Sequence, residues 1–400
     1  MQTIEYILRG IEYCLFAYFA MSCLYILVFA IAGHFYKKRH TAYNSTKNRI
    51  AVLIPAYKED NVIVEVAKSA LQQQYSSKMF DVVVIADTLK EDTILELKAL
   101  PIIVVEVSFE KSTKAKALNM AMSNLKNSYD YAVILDADNI MEVAFLEKMN
   151  VAFESGFQIV QGHRKAKNRN TSFAILDAAS EEVNNHIFRK GHSAIGLSAG
   201  LIGSGMGFEY NMFKSMMKTV NAIGGFDKEL EFKFAEKGIA IEYLQDAVVL
   251  DEKIQKSSDF SNQRRRWLST QFVYLNKYFR KGWRELLLNG NINFFDKVWQ
   301  MIIPPRILLL GITVLIASIY SIMVFGFNFY SNVSVYLWLT NLIVTVLAFL
   351  LSLPKSFYNV NTLKAMLSLP SAFLTMSLLL FKLKGANKKF IHTSHGSIQN

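Results

Sequence analysis

Residues 131–138 read Tyr-Ala-Val-Ile-Leu-Asp-Ala-Asp. An apolar run leads straight into two carboxylates separated by one alanine. A short run that is apolar throughout is the mark of a strand covered on both faces, and the acidic end marks where it leaves the core. Three upstream stretches have related form. Arg49–Tyr57 reads RIAVLIPAY, Phe80–Asp87 reads FDVVVIAD, and Ile102–Val107 is a further apolar run. Segments of helical type lie between them, around 60–73, 91–99 and 114–126. Strands alternating with helices predict an α/β fold, with a parallel sheet and helices on both faces. In such sheets ligands bind beyond the carboxyl ends of the strands. Three of the four predicted strands end in usable chemistry: Pro55-Ala56-Tyr57, Asp87 and Asp136-Ala137-Asp138. No internal repeat or low-complexity stretch interrupts the pattern.

Outside this region the chain becomes more apolar. Of 400 residues, 52% are hydrophobic and only 19% charged, against about 25% charged in ordinary soluble domains. The mean hydropathy is +0.21, so part of the chain belongs in lipid. Low charge together with 13% aromatic residues excludes a disordered protein. The excess of 44 basic over 33 acidic residues suits phosphate ligands and a cytoplasmic membrane face. Nucleic acid is not needed to explain it. Two cysteines exclude a disulfide framework and a cysteine-based zinc site. Cys14 and Cys23 lie in an apolar run and are expected to be buried.

Residues 13–33 carry no charge, and at 1.5 Å per residue they span roughly 30 Å, the hydrocarbon thickness. The run is too long for a signal-peptide core and no small-residue cleavage site follows. Lys37, Lys38 and Arg39 do follow, so the positive-inside rule keeps the rest cytoplasmic. Residues 307–354 are also free of charge; that length predicts two spans, about 307–327 and 333–353. A third stretch, 365–382, holds Pro370 and precedes a basic tail, which favours an in-plane or re-entrant segment over a third span. Pro304-Pro305 predicts an in-plane helix over 294–303. The expected organisation is a membrane helix within 1–40, a cytoplasmic α/β domain over 48–290, interfacial and membrane helices over 291–383, and a basic cytoplasmic tail over 384–400. This describes a multi-pass protein of an inner or plasma membrane.

Each chemical motif has a plain reading beside its functional one. Asp136 and Asp138 are a solvated turn or oxygen ligands for Mg²⁺ or Mn²⁺. Asp87 is a helix cap or turn, or an acceptor for a base or ribose. Lys111, Lys114 and Lys116 form a solvated face or meet phosphate at a helix start. Gln263-Arg264-Arg265-Arg266-Trp267 is a basic helix face, or a set in which Gln263, Arg266 and Trp267 share one side through their i, i+3 and i+4 spacing. There arginine can pair with diphosphate and tryptophan can stack on a sugar. Asp227-Lys228-Glu229 opens a helix with favourable acidic charge, or supplies a general base. The glycines of 200–208 allow close backbone approach but lack the dinucleotide fingerprint. His163, His186 and His192 lack metal spacing and are expected at the surface or in a polar core.

Taken in order, these motifs resemble the family 2 membrane-integrated glycosyltransferases, which include cellulose, chitin and hyaluronan synthases. The likeness covers roughly 48–290: a PAYKED-type first strand, a strand-end Asp, K-x-K-A-L-N, D-x-D, G-S-G-M-G-F, an acidic segment and Q-x-x-R-W. It implies a GT-A nucleotide-diphospho-sugar transferase domain, with a Rossmann-like mixed sheet flanked by transmembrane helices. It implies that Ala56, Tyr57, Glu59 and Asp87 hold the nucleoside, that Lys114 and Lys116 approach the diphosphate, that Asp136 supports the nucleotide sugar, and that Asp138 binds the metal. Gln263 and Arg266 would hold the diphosphate. Trp267 and Gly205, Met206, Gly207 and Phe208 would meet the acceptor. The implied reaction is inverting transfer from a nucleotide sugar, first of all a UDP-sugar, to a growing polysaccharide. Single transfer to a lipid is the alternative, and a nucleotide-binding membrane adaptor the non-enzymatic one. Membrane lipid, and export or assembly proteins, would be the further partners. The sequence departs from the family in two places. Where an acidic pair is usual it reads Gly-Gly-Phe-Asp-Lys-Glu-Leu-Glu, so Asp227 is the first candidate base and Glu229 the second. The C-terminal membrane region is also small.

Overall fold

A computed structural model describes residues 2–39, 46–222, 224–255, 257–327 and 332–383. The tail expected over 384–400 lies outside the described residues. Eight strands form one sheet: β1 (Ile50–Tyr57), β2 (Phe80–Asp87), β3 (Ile103–Val107), β4 (Tyr131–Ile134), β5 (Ile140–Met141), β6 (Ile159–Ala166), β7 (Met206–Glu209) and β8 (Glu242–Asp251). Their order is β3-β2-β1-β4-β7-β6-β8-β5. The first four are parallel, as the alternation of strand and helix predicts. β7 runs antiparallel to both β4 and β6, and β5 antiparallel to β8. The sheet is therefore mixed, as the family likeness implies, and not parallel throughout.

Side-chain alternation explains the continuous apolar strands. Leu53, Val83, Ile85 and Ile134 enter one core, and Val52, Ile54, Val84 and Val133 the other. Full burial of each contributes roughly 1.5–3 kcal/mol. β4 ends sooner than its apolar run suggests. The Leu135 amide still donates to Leu53 O at 3.1 Å. The Asp136 amide instead donates to Ser204 Oγ at 3.0 Å, so the chain leaves the ladder where the carboxylates begin.

The stretch Gly205–Phe208 corrects an expectation. It is not a ligand-facing loop, because Met206, Gly207 and Phe208 belong to β7 in the middle of the sheet, buried. A Cβ at Gly207 would lie 2.6 Å from Met149 Cε and 2.7 Å from Phe153 Cζ. Glycine here lets the helix Phe145–Glu154 sit against the strand.

Three segments, Arg9–Phe35, Arg306–Gly326 and Val333–Ser352, are long and apolar enough to cross a membrane. Trp338 is buried between Phe16 and Phe19, with ring centroids 5.5 and 5.8 Å away. Cys23 is buried beside Thr345, at 2.9 Å, but Cys14 is exposed, contrary to expectation. A membrane helix has an outward face that meets lipid rather than protein, and Ile11, Leu15, Leu315 and Ile343 are exposed in the same way. The stretch around Pro370 is two short helices, Val360–Met366 and Leu369–Leu380, bent by 42°. Together they are also long and apolar enough to form a broken span or a re-entrant loop. Pro370 sits in the first turn of the second helix, where a missing amide hydrogen costs nothing. A 33-residue helix, Ser257–Asn289, carries the Q-x-x-R-W stretch. The helix Ile292–Ile302 follows where the in-plane helix is expected.

Candidate active site

The carboxyl ends of β1 and β2 open onto a cleft of about 540 Å³. Strand register sets Tyr57 beside Asp87, and Ala56, Tyr57, Glu59 and Asp87 all line the cleft. Asp87 is buried and accepts from Thr88 Oγ1 at 3.0 Å. Lys58 and Thr88, the residues after the two strands, adopt left-handed backbone with φ of 57° and 59°. Side-chain-bearing residues pay roughly 1–2 kcal/mol for that conformation. Both strained positions flank the same corner of the cleft, the corner expected to hold the nucleoside.

The D-x-D carboxylates acquire a third member. Oxygens of Asp136, Asp138 and Asp251 lie within 4.8 Å of one another. Asp138 is oriented by Asn139 Nδ2 at 3.2 Å and the Glu252 amide at 3.1 Å. Asn139 also donates to Asp251 at 3.0 Å. Burial would raise the Asp251 pKa, but Arg164 and Lys253 override it and hold the carboxyl well below the ordinary range. Three carboxyl oxygen donors fit a hard divalent cation that keeps water or phosphate as further ligands. The motifs above do not include Asp251, yet the run Glu242–Asp251 ends in Val-Val-Leu-Asp much as β2 ends in Val-Ile-Ala-Asp.

The two lysines separate. Thr113 caps the helix Lys114–Asn124 by accepting from the Lys116 amide. Lys114 lines the cleft; its Nζ reaches Asp136 and donates to Gly203 O at 2.8 Å. Lys116 is exposed, and its ammonium donates to Lys111 O at 3.0 Å. It points away from the cleft because successive residues of a helix start face different sides.

The acidic candidates separate in the same way. Gly225, at φ 68°, precedes the helix Phe226–Glu236, and a Cβ there would meet Thr270 Cγ2 at 2.5 Å. The helix start is thus pressed against the Q-x-x-R-W helix, which brings Asp227 into the cleft. Burial pushes the Asp227 carboxyl upward; Lys228 opposes and Glu231 adds to the shift. Glu229 is buried on another side, near Lys277 at 3.4 Å and Lys233 at 3.8 Å, and does not line the cleft. Glu231, the last carboxylate of the same acidic segment, is locked by Lys228 at 2.7 Å, Lys297 at 3.3 Å and the Leu201 amide at 3.1 Å.

On the long helix, Gln263, Arg266 and Trp267 all line the cleft, as their spacing predicts. Gln263 Oε1 is buried without a hydrogen-bond partner among the described residues. Burial lowers the Arg266 pKa against the pull of Asp136 and Asp227. Its guanidinium therefore acts on both the carboxylate cluster and the candidate base. Arg264 also lines the cleft, paired with Asp177, its guanidinium 4.4 Å from the Trp267 ring centroid. Arg265 instead donates to Lys382 O at 2.6 Å. The three histidines are polar-core residues: His163 meets Tyr243 at 2.6 Å, His186 meets Ala30 O at 2.8 Å and His192 meets Tyr25 at 2.9 Å.

Among solved structures, a mannosyltransferase from Pyrobaculum calidifontis in complex with GDP-Man and Mn²⁺ aligns with 85% of this chain and 98% of its own, at 16% identity and a TM-score of 0.54. Glucosyl-3-phosphoglycerate synthase from Mycobacterium tuberculosis, solved with Mn²⁺, UDP and glucosyl-3-phosphoglycerate, aligns with 56% of this chain and 78% of its own, at 17% identity and a TM-score of 0.37. The first of these shares the fold. A search of curated proteins returns no significant match. The model of the family described as glycosyltransferase-like family 2 matches residues 48–270. With more than half of its length so matched, the chain belongs to glycosyltransferase-like family 2.

Proposed function

We propose that this protein is an inverting, divalent-metal-dependent glycosyltransferase that moves a sugar from a nucleoside-diphosphate donor to a hydroxyl of an acceptor held at the membrane face. The observation that carries this reading is the single cleft. It joins the ends of β1 and β2, the three-carboxylate cluster, Asp227, Arg266 and Trp267, and it continues to Ile303, Pro305, Ile307 and Met376 beside the apolar helices.

Ala56, Tyr57, Glu59 and Asp87 bind the nucleoside. UDP remains the first candidate, and GDP enters because the mannosyltransferase of the same fold was solved with GDP-Man. Lys114 and Arg266 hold the diphosphate. A divalent cation held by Asp136, Asp138 and Asp251 would supply positive charge to the leaving diphosphate. Asp227 takes the proton from the acceptor hydroxyl as that oxygen attacks the anomeric carbon. Its raised pKa favours proton uptake, which suits a general base. Trp267, which is partly exposed, offers an apolar face for the acceptor sugar. The basic flank Lys37–Arg39 supports a cytoplasmic position for the catalytic domain.

Two acceptors remain. The Q-x-x-R-W likeness favours a growing polysaccharide. The apolar end of the cleft, with Pro304, Pro305, Ile307 and Met376, favours an acceptor delivered from the bilayer. Detergent-purified protein, Mn²⁺, a panel of UDP- and GDP-sugars and membrane lipid extract separate them by product size. A long polymer supports polysaccharide synthesis; one sugar on an extractable lipid supports the lipid acceptor. A protein that binds nucleotide yet forms no glycoside from any donor would be the adaptor.

A further inference from the structure

Five basic side chains of the cleft lining are linked by contact or mutual repulsion to a group with only three carboxylates, Asp177, Glu181 and Asp251. They are Arg164, Arg189, Lys253, Arg264 and Arg306. Arg164 engages Glu181 at 2.6 Å and Asp251 at 3.5 Å. Lys253 engages Glu181 and, at 2.6 Å, Asp251. Arg264 engages Asp177. The three carboxylates of this group are thereby in use.

Arg189 and Arg306 are left with neutral partners. Arg189 is only 4% exposed. It donates to Gly200 O and to Asn185 Oδ1, both at 3.0 Å. Arg306 donates to Asn184 Oδ1 and, at 3.0 Å, to Ser180 Oγ. Neither has a carboxylate within 4.0 Å among the described residues. Arg306 also feels the like charges of Arg264 and Arg189, with Asp177 and Glu181 opposing. A guanidinium held out of water without an anion is unfavourable, as at Arg189, and the part-buried Arg306 adds a second cation to the same cleft; together they call for an anionic ligand. The surroundings give that ligand a second character. Arg306 opens the helix Arg306–Ser321, one of the apolar segments, and the cleft beside it is lined by Ile303, Pro305, Ile307 and Met376.

We propose that Arg306 and Arg189 form a phosphate subsite for a lipid-linked acceptor. The ligand is a phosphate or pyrophosphate ester on a long apolar tail. The tail lies toward Ile307 and Met376, the phosphate meets the two guanidiniums, and a hydroxyl beyond the phosphate reaches Asp227. This rests on the glycosyltransferase reading and narrows its acceptor class.

The test is equilibrium binding of farnesyl phosphate and farnesol to the full chain in detergent, with no sugar donor. Wild type binds the phosphate about tenfold tighter than the alcohol, and inorganic phosphate erodes that preference. Arg306→Gln and Arg189→Gln each reduce the preference to about threefold or less, while Arg306→Lys, which keeps the charge, retains most of it. Thermal unfolding of each variant identifies any that fail to fold, and in that case Arg306→Lys and phosphate competition on wild type decide. Equal binding of phosphate and alcohol by wild type overturns the subsite. Displacement by phosphatidylethanolamine, an abundant bilayer phosphodiester with no hydroxyl beyond its phosphate, as effective as by farnesyl phosphate assigns the charge to a bilayer headgroup and overturns the acceptor role. Because no donor is present, failure here leaves the glycosyltransferase reading standing. That reading fails separately, through absent nucleotide release.

Discussion

The two ends of the cleft are built by different rules. At the end proposed to hold the nucleotide, Tyr57, Asp87, Asp136 and Asp138 sit where parallel strands stop or just beyond. Their positions follow from local pattern: an apolar run, then a polar residue at the sheet edge. At the other end, beside the apolar helices, Asp177, Glu181, Lys253 and Arg264 come from widely separated segments and are positioned by one another, while Arg189 and Arg306 are held by neutral partners. Burial on that scale demands paired charges, and pairing is a property of the assembled fold. The first end is a site that backbone geometry makes; the second is a site that a charge network makes.

If that contrast is right, substitutions at the nucleotide end remove chemistry and leave folding intact. The largest effect is expected from Asp138→Asn, which takes one carboxyl oxygen from the carboxylate cluster. Nucleotide release falls by about 10³-fold, read by coupled detection of free nucleotide, and thermal unfolding stays near wild type. A loss below tenfold removes Asp138 from the cluster's work. Asp227→Asn comes next, with turnover down about 10²-fold or more. Burial raises the Asp227 pKa, so wild-type activity climbs with rising pH as the carboxyl ionises. The midpoint lies above the ordinary aspartate value of about 3.9, and that acidic limb is absent from the variant. Glu229→Gln separates the two candidates. It costs about 1 kcal/mol of stability or less, because Lys277 is half-exposed and Lys233 still donates to Thr219, and changes turnover by less than about tenfold.

Smaller effects sharpen the comparison. Trp267→Ala is expected to raise the acceptor KM about tenfold, equivalent to roughly 1.4 kcal/mol of lost contact, with little change in donor KM. An equal rise in both would move Trp267 to the nucleotide end. Lys116→Ala is expected to shift stability and donor affinity by less than about 0.5 kcal/mol, because its ammonium lies outside the cleft. Donor affinity lost beyond that would return Lys116 to the diphosphate.

The same contrast explains what the sequence made legible. β1 to β4, the strand-end carboxylates and the Gln263, Arg266 and Trp267 face are all local patterns, and each is visible without knowing its partners. β7 was not, since Gly205-Met206-Gly207-Phe208 has the composition of a loop. It becomes a strand because a helix packs where Gly207 has no side chain. Lys114 and Lys116 were indistinguishable by type and spacing, and only the orientation of the capped helix tells them apart. Asp251 carried a readable signal, the end of an apolar run. Arg189 and Arg306 carried none, because what distinguishes them is that no carboxylate among the described residues lies within 4.0 Å of either in three dimensions.

The most direct measurement of the central claim is nucleotide release by the purified full chain, across UDP- and GDP-sugars, with Mn²⁺ and with EDTA, in parallel with Asp138→Asn. The account predicts release from one donor class that disappears with EDTA and in the variant. Undiminished release in EDTA, or from Asp138→Asn, would contradict it.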